Sequence, residues 1–240
     1  MLSQSEIIEN FKKIREQIAQ AESNASRPSG SVSLCAVSKF HPIDAIYDAM
    51  QANQFLFGEN RVQEAYLKFT EIANDKTIAA VPQLHIIGSL QLNKVNHAVQ
   101  IASCIQSIDR VELLKEIEKQ CAKQNKTVSV MFEYHTGEES KSGYKTYDEL
   151  CETLSLCKEN AFPHIVPNGF MTMAPFTEDE RILHASFAKL RTVSEAAQKQ
   201  FPELSLSELS MGMSNDFKIA IEEGSTMVRI GTALFGPREQ

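Results

Sequence analysis

Short apolar runs alternate along this chain with stretches whose apolar positions recur every three or four residues, the two periods that mark buried strands and amphipathic helices. The chain opens with a helical pattern: Ile7, Ile8, Phe11, Ile14 and Ile18 share one face, and Ser3 with Glu6 forms a capping box, predicting a helix that ends near Ser23. The segment 26–30, with Pro28 and Gly30, breaks it. Apolar runs at 32–37, 55–58, 84–87, 104–108, 127–134, 165–171, 204–209 and 226–231 then predict eight strands with helical patterns between them. Pro42 suits the first turn of the helix after strand one, and a helix starts near Asn60 after strand two. Asp109 with Glu112, Thr146 with Glu149 and Thr177 with Glu180 repeat the capping pattern, while Ser214 reads as the cap of a last helix that Gly224 stops.

Strands that alternate with helices, with no second cluster of strands, imply all-parallel pairing. Eight such units in 240 residues match the size of a single (β/α)8 TIM-type barrel, an α/β domain spanning 1–240 with an extra N-terminal helix over 1–25. An open doubly wound sheet is the alternative topology for the same pattern.

Composition narrows the class. Apolar residues at 42% and charged residues at 23% describe a globular chain. Asp and Glu (31) outnumber Lys and Arg (24), and the net charge of −7 repels nucleic acid and anionic lipid, so neither is an expected partner. The five cysteines are odd in number and form no C-x-x-C pair, which predicts reduced thiols in a cytoplasmic protein. Glu6 and Glu9 near the start argue against a secretory signal, and the longest uncharged stretches, 77–93 and 160–177, are broken by Pro, His and Asn, too polar to cross a bilayer. A soluble chain is expected.

Active sites of parallel barrels lie at the C-terminal ends of the strands. Those ends are polar here: Ser38-Lys39, Gly58-Glu59-Asn60, Gly88 after a strand carrying His85, Asp109, Glu133-Tyr134-His135, Met171-Thr172, the segment 210–214, and Arg229 through Thr232. Lys39 closes an apolar strand, where desolvation and a nearby cation favour a nucleophilic amine able to form a Schiff base. The same placement also suits a lysine that snorkels to solvent. The turn 211–214 and Gly231-Thr232 sit after strands seven and eight, where free N–H groups and two hydroxyls can converge on a phosphate, although Ser214 is also a plain helix cap and Gly231 a plain turn residue. Arg229 lies two residues before Gly231 and so shares its side of the strand; its acceptor is either a carboxylate such as Glu59 or Glu133, or a ligand atom. The six histidines make no H-x-x-x-H or H-E-x-x-H pair, and a metal cluster assembled from separate strands stays open. No G-x-S-x-G nucleophile signature occurs, and most methionines, with aromatics such as Phe187, read as core.

A-V-S-K at 36–39, F-G-E-N at 57–60, H-I-I-G at 85–88 followed by Gln91, Asn93 and Lys94, E-E-S-K-S-G at 138–143, S-M-G-M-S at 210–214 and G-S-T-M-V-R-I-G-T-A-L-F-G at 224–236 span nearly the whole chain. In this order they resemble the pyridoxal-phosphate homeostasis protein family, whose barrel is similar to the N-terminal barrel of alanine racemase. The resemblance implies pyridoxal 5′-phosphate (PLP) as cofactor, held as a Schiff base on Lys39. It further implies Asn60 beside the ring, Ser214, Gly231 and Thr232 on the phosphate, Arg229 facing the pyridine nitrogen, His85 and Met211 as wall residues, and no metal. Two departures bear on ligand preference and leave the anchors intact: Arg61 stands where the family often has Tyr, and Glu133-Tyr134-His135 where Asn is usual near the end of strand five.

The function the resemblance implies is maintenance of the intracellular PLP pool without efficient catalysis. The expected partners are PLP and the apo forms of PLP-dependent enzymes, and a monomer is expected. A weak amino-acid racemase is the alternative, and a barrel enzyme acting on another phosphorylated small molecule is the third reading. Two features count against the racemase. The chain stops at Gln240, just past strand eight, whereas related racemases continue into a domain that supplies a second proton-transfer tyrosine. An arginine at the pyridine nitrogen also disfavours ring protonation and weakens the electron sink.

Overall fold

The computed structural model describes residues 2–138 and 142–237. Its first element is α1 (Gln4–Asn24), where the Ser3 hydroxyl accepts the Glu6 N–H and the Glu6 carboxylate accepts the Ser3 N–H, the reciprocal cap expected from the sequence. Strands and helices then alternate: β1 (Ser33–Val37), α2 (Ile43–Gln51), β2 (Leu56–Glu59), α3 (Val62–Asn74), β3 (Gln83–Ile86), α4 (Val95–Ile101), β4 (Cys104–Ile108) and α5 (Val111–Gln124). The second half continues with β5 (Val128–Glu133), α6 (Tyr147–Lys158), β6 (Ile165–Met171), α7 (Glu180–Gln200), β7 (Glu208–Ser210), α8 (Phe217–Glu222), β8 (Met227–Ile230) and α9 (Thr232–Phe235). Every neighbouring pair of strands is parallel and β8 pairs back onto β1, so the sheet closes as a barrel and the open-sheet alternative falls away.

Side-chain alternation along the strands separates two interiors. Phe57, Ile86, Ile105, Phe132 and Phe170 point outward and fill the space beneath the helices, together with Phe11 and Ile14 of α1. Inside the barrel, Cys35, Cys104, Met131, Met171 and Met227 pack on one another as a separate cluster of polarizable sulfur side chains. All five cysteines are free thiols, and burial pushes the Cys35 thiol up to about 12, so this layer is chemically quiet. Two residues further along β4, β5 and β8 the inward positions become Gln106, Glu133 and Arg229, all buried. The barrel therefore changes from apolar to polar towards the C-terminal ends of its strands.

Several helix starts and one strand differ from the sequence expectation. α5 begins at Val111 with Arg110 as its cap residue, and Asp109 pairs with the Arg110 guanidinium instead of closing a capping box. α7 is capped by Asp179, which accepts the Arg181 N–H, while the Thr177 hydroxyl accepts the Asp179 N–H one turn earlier. Ser214 caps nothing: α8 starts at Phe217, and Asp216 occupies the cap position. β7 pairs only from Glu208, because the preceding residues turn back on the end of α7 through the Leu204 N–H to the Phe201 carbonyl and bury Leu206 in the outer core. The short α9 was not anticipated. α6 keeps its expected Thr146 and Glu149 box.

Candidate functional site

A cavity of about 900 Å³ opens at the C-terminal ends of the strands, and Lys39, Asn60, Ser214, Arg229, Gly231 and Thr232 all line it. Lys39 lies in the turn that follows β1 and is half-buried. That turn is clamped to α3. The Lys68 ammonium donates to the Ser38 carbonyl (3.0 Å), Glu59 Oε1 (2.9 Å) and Glu64 Oε1 (2.7 Å), and the Ser38 hydroxyl donates to Glu59 Oε1 (2.8 Å). Glu64 also accepts the Phe40 N–H at 2.6 Å, which holds Phe40 at φ 65°, a left-handed conformation that a bulky residue adopts only under constraint. The Arg61 guanidinium caps the Phe40 ring at 4.8 Å. Burial raises the Glu59 carboxyl above the ordinary carboxylate range, and the opposing pull of Lys68 and Ser38 only partly restores it.

Asn60 follows β2 and presents a side-chain oxygen that is buried yet has no hydrogen-bond partner among the described residues. Its backbone fits because residue 88 is glycine: a Cβ there would lie 2.5 Å from the Asn60 carbonyl oxygen. The H-I-I-G motif is thus the space that β3 leaves for Asn60.

On the opposite wall, the Met213 N–H donates to Asp216 Oδ1 and the Asp216 N–H returns to the Met213 carbonyl, folding 213–216 into a tight turn with Ser214 on the cavity side. Gly212 at φ 96° brings this turn onto α8, since a Cβ would sit 2.6 Å from that of Ala220. Next to it, Thr232 opens α9, and the first N–H groups of a helix have no helical acceptor. Ser214 and Thr232 so line one end of the cavity, with the start of α9 beside them, a polar wall suited to an anion.

Arg229 forms part of the floor. One terminal nitrogen, Nη1, donates to the Ser210 carbonyl and to Ser210 Oγ (2.8 Å), and Nη2 donates to the Thr172 carbonyl at 2.7 Å. The carboxylate partners considered from sequence do not fill this role: Glu59 takes Ser38 and Lys68, and Glu133 accepts the Ser142 hydroxyl at 3.2 Å. Burial lowers the pKa of the Arg229 guanidinium, with Cys35, Asp216 and Glu133 opposing the shift, and a guanidinium remains charged in such a setting.

Two expected wall residues lie elsewhere. Met211 is outside the cavity lining and fully buried in the outer core, because it follows the inward-facing Ser210 and so points to the other side of β7. His85 points into the barrel but below the cavity lining, where its Nδ1 meets Gln106 Nε2 at 2.7 Å. Conversely, Ser210, Gln106 and the Thr172 carbonyl were missed. Counting inward positions in steps of two from Cys104 along β4 was the signal available for Gln106. Of the E-E-S-K-S-G motif, residues 139–141 lie outside the described residues.

Burial pulls the His85 pKa down to about 4, which makes acid stability a check on its placement. The unfolded chain, with an ordinary histidine near 6.5, binds the proton first as pH falls, so His85 costs stability progressively between about 6.5 and 4 and nothing above that window. Urea unfolding at pH 7.5 and 4.5 is expected to show a loss of which on the order of 2 kcal/mol disappears in His85→Gln. An equal loss in both proteins would mean that His85 titrates normally in the fold.

The alanine racemase N-terminal domain family matches residues 9–239. The pyridoxal phosphate homeostasis protein of Vibrio alginolyticus is 39% identical over 242 residues, covering 98% of this chain and 99% of that protein. The chain belongs to the pyridoxal phosphate homeostasis protein family. The member from Pasteurella multocida is 36% identical over 235 residues, with 97% of this chain and 98% of that protein covered. Among solved structures, PipY of Synechococcus elongatus with PLP bound superposes with a TM-score of 0.83 at 33% identity, covering 96% of this chain and all of that one.

The residues of this pyridoxal phosphate homeostasis family member fit the cofactor in its family's name. A buried Asn60 oxygen with no partner among the described residues, Ser214 and Thr232 at one end of the cavity, and an Arg229 guanidinium that donates to carbonyls and a hydroxyl suit a phosphorylated heteroaromatic ring, and Lys39 in the same cavity suits an aldehyde. Among the described residues, no three His, Cys, Asp or Glu side chains are placed to hold a metal ion, and no helix is long and apolar enough to cross a membrane.

Proposed function

We propose that this chain binds PLP, covalently through the Lys39 amine, and serves to hold the cofactor and release it to apo-enzymes in the cytoplasm rather than to turn over amino acids. The observation that carries this reading is the convergence of Lys39, Asn60, Arg229 and the hydroxyls of Ser214 and Thr232 on one cavity. When bound, PLP supplies an aldehyde that a lysine can hold as a Schiff base and a ring that can withdraw electrons from an attached amino acid. Arg229 limits the second property. As a fixed cation it would donate to the ring nitrogen and oppose its protonation, so the ring would withdraw electrons less effectively. The clamp of Lys68, Glu59 and Glu64 holds the Lys39 turn in place, and the reduced cysteines and the net charge of −7 agree with a cytoplasmic carrier away from nucleic acid and lipid. A monomer is part of the proposal.

Borohydride reduction of the PLP-saturated protein is expected to leave added mass on Lys39, and transfer of PLP to an apo-enzyme is expected to outpace its loss to buffer. Efficient racemisation of any amino acid would favour the enzyme reading instead. The phosphate cradle has its own check. Ser214→Ala and Thr232→Val are each expected to weaken PLP by about 10- to 100-fold, the effect of losing one charge-assisted hydrogen bond of roughly 1.5 to 3 kcal/mol, and to leave pyridoxal binding nearly unchanged. Titrations with both compounds measure the difference, and equal losses would move the phosphate away from this wall.

A further inference from the structure

A chain of hydrogen bonds crosses the barrel beneath the cavity and ends on Arg229. Ser210 Oγ accepts from Arg229 Nη1 (2.8 Å) and lies 2.6 Å from Gln106 Oε1, and Gln106 Nε2 lies 2.7 Å from His85 Nδ1. The four side chains belong to β8, β7, β4 and β3 and are all buried.

Proton counting fixes the direction of this chain. A guanidinium only donates, so Ser210 Oγ accepts from Arg229 and its single proton is left for Gln106 Oε1. The Gln106 amide must then turn its nitrogen towards His85 and Met227, whose Sδ lies 3.2 Å from Nε2. His85 Nδ1 is consequently the acceptor, and the imidazole carries its proton on Nε2. With the amide reversed, Ser210 Oγ would receive two donors and its own proton would lose this acceptor, an arrangement that a dry interior penalises.

We infer that Gln106 and Ser210 are positioning residues for Arg229, and that they set the orientation of its guanidinium plane towards the ring nitrogen of the cofactor. The inference rests on the proposed PLP site. The acceptors Ser210 O and Thr172 O come with the backbone and hold two edges of the guanidinium. The Ser210 hydroxyl, by contrast, can rotate about its Cα–Cβ bond, and among the described residues it is Gln106 that accepts its proton and holds it where it receives Nη1. Gln106 is itself held at its far end by His85 and Met227. The relay therefore conveys the spacing of β3 and β4 to a cation on β8, and leaves Nε–H and the second Nη2–H for an acceptor in the cavity.

The test compares PLP with its carbocyclic analogue, in which C–H replaces the ring nitrogen. The wild-type protein is expected to prefer PLP by about 10-fold or more, the effect of a hydrogen bond from a charged donor. In Gln106→Leu and in Ser210→Ala that preference is expected to fall to about 2-fold or less, while the analogue binds as it does to the wild type. A preference that survives in both variants overturns the inference and leaves Arg229 at the ring. No preference in the wild type overturns the placement of Arg229 and the inference with it, while failure to bind either compound overturns the PLP reading itself. Nitrogen-15 NMR of the unaltered protein keeps the test decisive should the variants not fold: the His85 proton is expected on Nε2, and a proton on Nδ1 reverses the relay and overturns the inference.

Discussion

Lys39→Ala is expected to abolish covalent capture of PLP while leaving the barrel folded. The two halves of that expectation have separate causes. Lys39 occupies a turn whose shape is maintained by other residues: Lys68 bridges Ser38, Glu59 and Glu64, and Glu64 holds the Phe40 amide. Truncating this half-buried side chain leaves the hydrogen bonds of the clamp itself in place, so the barrel is expected to stay folded. The amine, in contrast, is the group proposed to hold the aldehyde, and alanine offers no substitute. The cradle of Ser214 and Thr232 and the Arg229 guanidinium remain, so phosphate and ring contacts are expected to retain PLP weakly and reversibly. The measurement is absorbance of the PLP-loaded variant together with mass spectrometry after borohydride, against circular dichroism as a control for folding. Labelling at wild-type level on another lysine, such as Lys94, would transfer the covalent role away from strand one.

The fold was legible because both kinds of segment were. Short apolar runs picked out the strands, helical spacing and the boxes at Ser3 and Thr146 picked out the first and sixth helices, and all-parallel order with the chain's length implied closure. Helix starts failed where several capping residues crowd together. Thr177, Glu178, Asp179 and Glu180 offer four successive acceptors, and the choice of Asp179 depends on which residue has extended backbone angles, a tertiary matter. The turn before α8 failed for the same reason, with Asp216 taking the position assigned to Ser214.

The site was legible to the extent that its residues sit at strand ends. Met211 failed because it was taken from a motif and not from the alternation that turns it outward beside Ser210. The partners of Arg229 were hidden more deeply. Two of its acceptors are backbone carbonyls, which every residue carries, so an inventory of side chains pointed to Glu59 and Glu133 instead. Similarly, Gly88 looked like a strand terminator, and its role as room for Asn60 is visible only with β2 and β3 side by side.

Arg229→Gln separates what this residue does for the barrel from what it does for the cofactor. Glutamine keeps one amide donor but not the fork that reaches Ser210 on β7 and the Thr172 carbonyl beyond β6, so at least one buried acceptor loses its partner. Each such loss costs roughly 1 to 3 kcal/mol, and urea unfolding is expected to show a decrease of about 2 to 4 kcal/mol. Arg229→Glu, the fuller reversal of charge, would set a carboxylate against the same carbonyls and is expected to disrupt the barrel, which makes the neutral variant the informative one. Its second effect concerns the ring. With the cation gone the pyridine nitrogen is free to take a proton, and a protonated ring is the better electron sink. Exchange of an amino acid's α-hydrogen with deuterated water, followed by NMR and normalised to bound PLP, is therefore expected to be slow in the wild type and faster in Arg229→Gln. PLP affinity is expected to fall by about 10-fold or more as the charged donor is lost. Lower stability with unchanged exchange and unchanged PLP affinity would make Arg229 a brace between β7 and β8 and nothing more, and the weak-sink argument for a carrier would fall with it.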